Sequence, residues 1–190
     1  MNGNAPGTVC FTGYRPNRLF GYKNRDDYRP LLDVIIELSC GLVESGYRTF
    51  ITGGAQGTDQ LAFWAVETVK RNYPDLSIRS EVYIPFVGQD RRWSEDGPFG
   101  RHEYRQMLDA ADRVHVVCDS DINVCEAMAR RNEEMVADAT CVIGVIAADD
   151  DIDRNPGGTA RTLRIARRVR RRIITIDPTT LAVGRSIKSI

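Results

Sequence analysis

Short runs of consecutive apolar residues alternate along this chain with longer stretches in which apolar positions recur every three or four. The short runs cover 8–12 (TVCFT), 48–52, 78–84, 113–118, 140–147 and 172–176. Near-continuous apolar runs of this length read as strands buried on both faces. Between them, Leu31, Leu32, Ile35, Ile36, Leu38 and Leu42 mark a helix over 31–43, with Pro30 suited to its first turn and Gly46 to its stop. Leu61, Ala62, Ala65, Val66 and Val69 mark a second helix over 58–72, closed by Pro74. Further helices are predicted over 101–111, 123–137 and 158–170, and a long polar loop over 86–100. Such alternation predicts an α/β fold: a Rossmann-like three-layer sandwich with a mostly parallel central sheet. The 190 residues suit one domain with a core over about 8–176, and the tail from Asp177 is predicted to be loosely ordered.

Two glycine turns punctuate this pattern at strand ends. The run ITGGAQGTDQLA over 51–62 reads as strand, turn and helix start. Gly53 and Gly54 are expected to take positive φ and to let the backbone approach a ligand, with Thr58 and Asp59 as cap and first-turn residues. The second run, NPGGTART over 155–162, opens the last helix. Free N–H groups and the helix dipole make either turn a site for phosphate, although each is also an ordinary way to enter a helix. Neither matches GxGxxG or the Walker A loop, whose lysine is missing, which disfavours ordinary dinucleotide oxidoreductases and kinases.

Composition narrows the remaining chemistry. The 26 basic and 26 acidic residues cancel, so no global field draws the chain to nucleic acid or to an anionic membrane. The charge is nonetheless clustered, with Asp149, Asp150, Asp151 and Asp153 in one loop and seven arginines between Arg161 and Arg172. On a helix Arg161, Arg164, Arg168 and Arg171 share a face opposite Leu163, Ala166 and Val169. That face reads either as a phosphate track or as a solvated surface balanced by the acidic loop, and the zero net charge favours the latter. Five cysteines without CxxC spacing and only two histidines argue against a metal site. No signal peptide or spanning segment stands out, and a reduced cytoplasmic location is expected.

Several single residues at strand ends are candidates. Arg15 can clamp a phosphate or carboxylate, or cap carbonyls and pair with an acid. Tyr14 and Trp93 can stack on a base or pack in the core. Arg131 reads as a helix surface cation, whereas Asn132, a poor helix former, hints at a specific hydrogen bond. His115 is expected to face the core or pair locally, and His102, beside the long loop, is the better functional imidazole. Asp59 and Asp119 can serve as a base or bind ribose hydroxyls.

Taken in order, FTGYRP, FITGGAQGTDQLA, IPFVGQDRRW, ADRVHVV, RRNEEMV and PGGTART resemble the YpsA-like branch of the SLOG superfamily, over roughly 9–176. That superfamily also holds the DNA-processing A proteins and the Lonely Guy phosphoribohydrolases. The resemblance implies a nucleotide pocket built from Gly13, Tyr14 and Arg15; from Gly53, Gly54, Ala55, Gly57, Thr58 and Asp59; from Gln89 and Trp93; from Arg131 and Asn132; and from Gly157, Gly158 and Thr159. Tyr14 stands where the family commonly has histidine, and Ala137 where it usually has aspartate. Lonely Guy enzymes carry PGGxGTxxE; here Ala160 and Arg161 replace the Gly-Thr pair and Arg164 replaces the catalytic glutamate. Subunit pairing is likewise implied by the resemblance alone.

The sequence therefore reads as a protein that binds a nucleotide-derived, phosphate- or ADP-ribose-bearing ligand, without a required cofactor or metal. A hydrolase of nucleotide N-glycosidic bonds using Asp59 or Asp119 is one alternative, and a single-stranded nucleic-acid binder like the DNA-processing proteins is another.

Overall fold

The computed structural model describes residues 6–118 and 123–186. Seven strands form one sheet in the order β4-β3-β2-β1-β5-β6-β7. They are β1 (Gly7–Gly13), β2 (Tyr47–Thr52), β3 (Arg79–Ile84), β4 (Arg113–Val116), β5 (Cys141–Val145), β6 (Arg172–Ile176) and β7 (Val183–Ser186). The first six pair in parallel, and β7 lies antiparallel to β6. Among the described residues five α-helices connect them: α1 (Arg29–Glu44), α2 (Thr58–Asn72), α3 (Arg101–Ala110), α4 (Val124–Asp138) and α5 (Gly158–Arg168).

Strand side chains alternate between two buried layers, as the period of two demands. Val9 and Phe11 of β1, Phe50 of β2 and Ile143 of β5 pack with Leu31 and Ile35 of α1 and Leu61 and Ala65 of α2. Cys10, Ile51, Tyr83 and Val142 point the other way, against Met135 and Val136 of α4 and Leu163 and Ala166 of α5. Met107 and Tyr104 of α3 join Phe63 of α2 over Val82 and Ile84, on the first face. The result is the Rossmann-like three-layer sandwich that the alternation predicts. Cys10 and Cys141 behave as small hydrophobes; burial raises the thiol pKa of both, that of Cys141 to about 11.

The tail departs from expectation. Asp177 ends β6, and its carboxylate accepts from the N–H groups of Thr179 (2.8 Å), Thr180 (2.9 Å) and Ala148 (2.7 Å). This Asx turn sends the chain back along β6 as β7. The sequence DPTT carried that signal, but the weakly apolar run after it hid the strand. Val169, expected opposite the arginine face of α5, lies beyond the helix end and is exposed. No helix among the described residues is long and apolar enough to cross a membrane.

Candidate functional site

The parallel strands set the location. From β1 the chain goes to α1 on one face of the sheet, and from neighbouring β5 it goes to α5 on the other. The carboxyl ends of these two strands are therefore the topological switch point, where open α/β sheets leave a crevice. A cavity of about 360 Å³ opens there. It brings together Gly13, Tyr14, Arg15, Ala55, Asp59, Arg131, Asn132, Gly157, Gly158 and Thr159 from the sequence-derived set.

Arg131 is not a surface cation. Its side chain, from α4, is buried and reaches over the end of β2 to Asp59 of α2, Nη1 to Oδ2 at 3.1 Å. Asp59 Oδ2 also accepts from the Ala55 N–H at 3.2 Å, so the carboxylate ties the glycine turn to its own helix. Arg131 Nη2 rests on Met128 Sδ at 3.6 Å, and Nε is buried without a partner.

This crossing explains Gly53. Its φ is not positive; the left-handed positions are Gly54 (φ 65°) and Gly57 (φ 88°). A Cβ on Gly53 would instead lie 1.2 Å from Arg131 Nη1. The requirement is space for a guanidinium rather than an unusual dihedral. Gly57, not Thr58, is the N-cap of α2. Thr58 gives both its N–H (3.3 Å) and its hydroxyl (3.1 Å) to the Tyr14 carbonyl, locking the end of β1 to the start of α2. Its N–H is thereby occupied and is not free for phosphate.

Arg15 differs from its neighbours. Its guanidinium lines the cavity, partly buried, and makes no ion pair or hydrogen bond with any described residue. Burial lowers its pKa, Asp59 pulls it back up and Arg131 pushes it down. It stays charged at neutral pH because arginine does not deprotonate in proteins. Opposite stands the N-terminus of α5, where Gly157 is the N-cap without a side-chain cap, and the first turn holds no acid. The N–H groups of Gly158, Thr159 and Ala160 are the orphan donors of that turn.

The acidic loop holds the rim. The Tyr14 hydroxyl donates to Asp150 Oδ2, which also accepts from Arg18 Nη2 at 3.0 Å and Asn155 Nδ2 at 2.8 Å. Asn155 Oδ1 accepts from the Gly157 N–H at 2.8 Å and so steadies the α5 entrance. Arg18 lies over the Tyr14 ring, 4.0 Å from its centroid. The Tyr14 hydroxyl lowers the Asp150 pKa most, and Arg18 adds to this; burial and then Asp150 raise that of the phenol. Asn17, Arg18, Met128 and Asn155 also line the cavity and were not singled out from sequence. Of these only Asn155, an Asx residue two before a helix N-cap glycine, carried a readable signal.

Other candidates lie elsewhere. Gln89 sits behind the glycine turn, Nε2 on the Tyr104 hydroxyl (2.9 Å) and the Gly54 carbonyl (3.5 Å), with Oε1 buried and unpartnered. Trp93 lines a neighbouring cavity. Gly53, Gly54, Gly57 and Thr58 form the turn without lining the first cavity. His102 is exposed beside Gln106, and His115 bonds Glu134 at 3.0 Å and leans on Tyr83. Asp119 lies outside the described residues. No cluster of His, Cys, Asp or Glu among the described residues suits a metal. The arginines of α5 are largely engaged. Arg161 pairs with Glu133 (3.6 Å) and Arg167 with Asp153, and Arg164 bonds the carbonyls of Ile152 and Asn155. Where Lonely Guy enzymes keep a glutamate, this chain thus has a loop staple.

Fold and site together define a Rossmann-like domain with an anion-suited crevice at its switch point. The YpsA family model, described as the YspA SLOG family, matches residues 9–181, and the chain belongs to that family. An SPbeta prophage-derived protein, YoqJ of Bacillus subtilis (strain 168), is 34% identical across 73% of this chain and 78% of its own length. A UPF0398 protein of Bacillus thuringiensis (strain Al Hakam) is 25% identical across 72% of each. Among solved structures, DNA processing protein A from Streptococcus pneumoniae shares the fold with a TM-score of 0.56 at 16% identity, over 90% of this chain. The Helicobacter pylori protein, described for its single-stranded DNA binding mode, gives the same TM-score, identity and coverage of this chain. The chain spans 50% of the first of these proteins and 66% of the second.

Proposed function

We propose that the crevice binds the phosphate of a nucleotide-derived small molecule. The observation that carries this reading is Arg15. A partly buried guanidinium with no partner among the described residues costs folding energy unless something else uses it. Here it shares a cavity with the uncapped N-terminus of α5, whose N–H groups suit the same anion. Arg131 and Arg18 are already matched by Asp59 and Asp150, so among the described residues that line this cavity Arg15 is the cation left for a ligand. Asn132 and the rim of Tyr14 are available to sugar or base. A cavity of about 360 Å³ is of mononucleotide size, at the low end of the range for ligand pockets.

The test is a thermal-shift screen of nucleoside phosphates, NAD, ADP-ribose and cyclic ADP-ribose against the wild type and Arg15→Ala. A ligand at a hundred times its dissociation constant adds about 2.7 kcal/mol. The expected result is a shift in the wild type that disappears in Arg15→Ala, while unliganded Arg15→Ala melts no lower than the wild type. A shift retained in the variant refutes the reading.

One observation favours a second reading. Asp59 Oδ1 has no partner among the described residues although Asp59 lines the cavity, so it can face a ribosyl cation during N-glycosidic cleavage. Release of free base from a bound nucleotide, lost in Asp59→Asn, would establish it. The nucleic-acid reading draws on the single-stranded DNA binding of the Helicobacter pylori neighbour alone and predicts steep salt dependence that falls in Arg164→Ala/Arg168→Ala.

A further inference from the structure

Beside the first cavity lies a second of about 360 Å³, lined by Tyr22, Gln56, Arg92, Trp93 and Asp96 among others. One turn divides the two. Ala55 lines the first and the next residue, Gln56, lines the second, with their Cα atoms about 3.8 Å apart. The second cavity is walled by the long 86–100 loop, which is firmly held. Arg101 N–H bonds Ser94 O at 2.9 Å, His102 N–H bonds Glu95 O at 3.1 Å, and Phe99 N–H bonds Glu103 Oε2 at 2.9 Å. Phe99 itself is buried with φ 63°, a conformation a bulky side chain adopts only under constraint from its surroundings.

The chemistry of this wall suits a nucleobase. Trp93 packs one edge against Tyr104, centroids 5.1 Å apart at 72°, and remains partly open. Tyr22 is 47% exposed on the same cavity. Gln56 is fixed through Nε2 to the Phe99 carbonyl at 3.0 Å, which leaves its Oε1 as an oriented acceptor. Arg92 is exposed and pairs with no described residue. In the turn that separates the cavities the N–H of Gln56, which lines the second, meets no acceptor among the described residues; those of Gly54 and Gly57, which are buried and line neither cavity, also meet none, whereas those of Ala55 and Thr58 do. One arginine on each side of the turn, Arg15 and Arg92, is unmatched among the described residues, and the two would balance the two charges of a diphosphate bridge.

We propose that the second cavity seats a second nucleoside, so that the ligand is a dinucleotide whose bridging phosphates cross the 53–57 turn. This rests on the phosphate-binding reading of the first cavity.

The experiment is calorimetric titration of the full chain with the adenosine, guanosine, cytidine and uridine monophosphates, each matched to its symmetric dinucleoside diphosphate, and with a thymidine decamer. Tryptophan emission is followed in parallel in a Trp64→Phe background. The expected result is a dinucleotide that binds at least tenfold tighter than its mononucleotide and quenches Trp93. Arg92→Ala and Trp93→Leu should remove that gain and leave mononucleotide affinity unchanged, Trp93→Phe should restore most of it, and Arg15→Ala should weaken both ligands. Equal affinity for the two, with mononucleotide binding intact, overturns the second subsite while sparing the first. Equal weakening of both ligands by Arg92→Ala also overturns it. Binding of neither overturns both readings, and tight binding of the decamer alone replaces the dinucleotide with a nucleic-acid strand.

Discussion

Gly53 and Arg131 occupy one space: a Cβ on the glycine would stand 1.2 Å from the arginine's Nη1 and 2.6 Å from the Asp59 carboxylate it pairs with. Arg131 comes from the helical layer on one face of the sheet, and Asp59 from the layer on the other. The end of β2 lies between them, and only a glycine there lets the ion pair pass over the sheet. The pair thus joins the two helical layers above the strand ends and forms one wall of the cavity.

Gly53→Ala is expected to destabilise by about 2–4 kcal/mol, through overpacking and displacement of the guanidinium. In an Arg131→Ala background the added cost should fall well below that, leaving only the contact with Asp59. A double-mutant cycle by urea denaturation measures the coupling. Additive costs would mean that the glycine serves some other purpose.

Arg131→Ala alone leaves the buried Asp59 without its counter-charge and should cost about 3–5 kcal/mol. Asp59→Asn in the same chain should recover part of this, because the uncompensated charge is removed. Chemical denaturation of the single and double variants at neutral pH checks the order of stabilities.

Asp150 ties up Arg18 and the Tyr14 hydroxyl at the rim. Neutralising it in Asp150→Asn frees Arg18 for an incoming phosphate. Nucleoside monophosphate binding is expected to tighten several-fold at low salt and less at physiological ionic strength, since the Arg18 side chain is 46% exposed and open to screening. Weaker binding would instead make Asp150 a direct ligand contact.

Asp177 accepts three backbone N–H groups, and those from Thr180 and Ala148 do most to lower its pKa. A depressed folded value means that its stabilising effect is complete above the ordinary carboxylate pKa of about 3.9 and is lost as pH falls through the depressed value. Asp177→Ala should cost about 1 kcal/mol at pH 7, and this difference from wild type should shrink below pH 4. Thermal melts between pH 2.5 and 7 test the sign. Hydrogen exchange at β7 should rise in the variant if the turn is what holds that strand.

The alternation of apolar runs and helical periods was sufficient for the six parallel strands and the helices between them, because near-continuous apolar strands are stable only between two helical layers, but it missed β7. It also pointed to the strand ends, and Arg15, Asp59 and Gly157, each of which follows a predicted strand, all line the first cavity. Which of those residues stay free for a ligand was decided only by packing. Arg131 looked like a solvated helix cation, and burial plus a partner 72 positions away made it structural. Arg15 looked as apt to pair with an acid, but Asp59 pairs with Arg131 instead, and Arg15 is unmatched among the described residues. Gln89 and Trp93 sit four residues apart in one motif, yet the loop turns one behind the glycine turn and the other into a separate cavity. Local pattern fixes period and punctuation, whereas pairing of charges across layers depends on contacts between segments that are distant in the chain. The sequence by itself therefore determined the fold class and the end of the sheet where the cavity opens. The tertiary structure decided which cation was left over there, because that depends on which carboxylate the packing brings within reach.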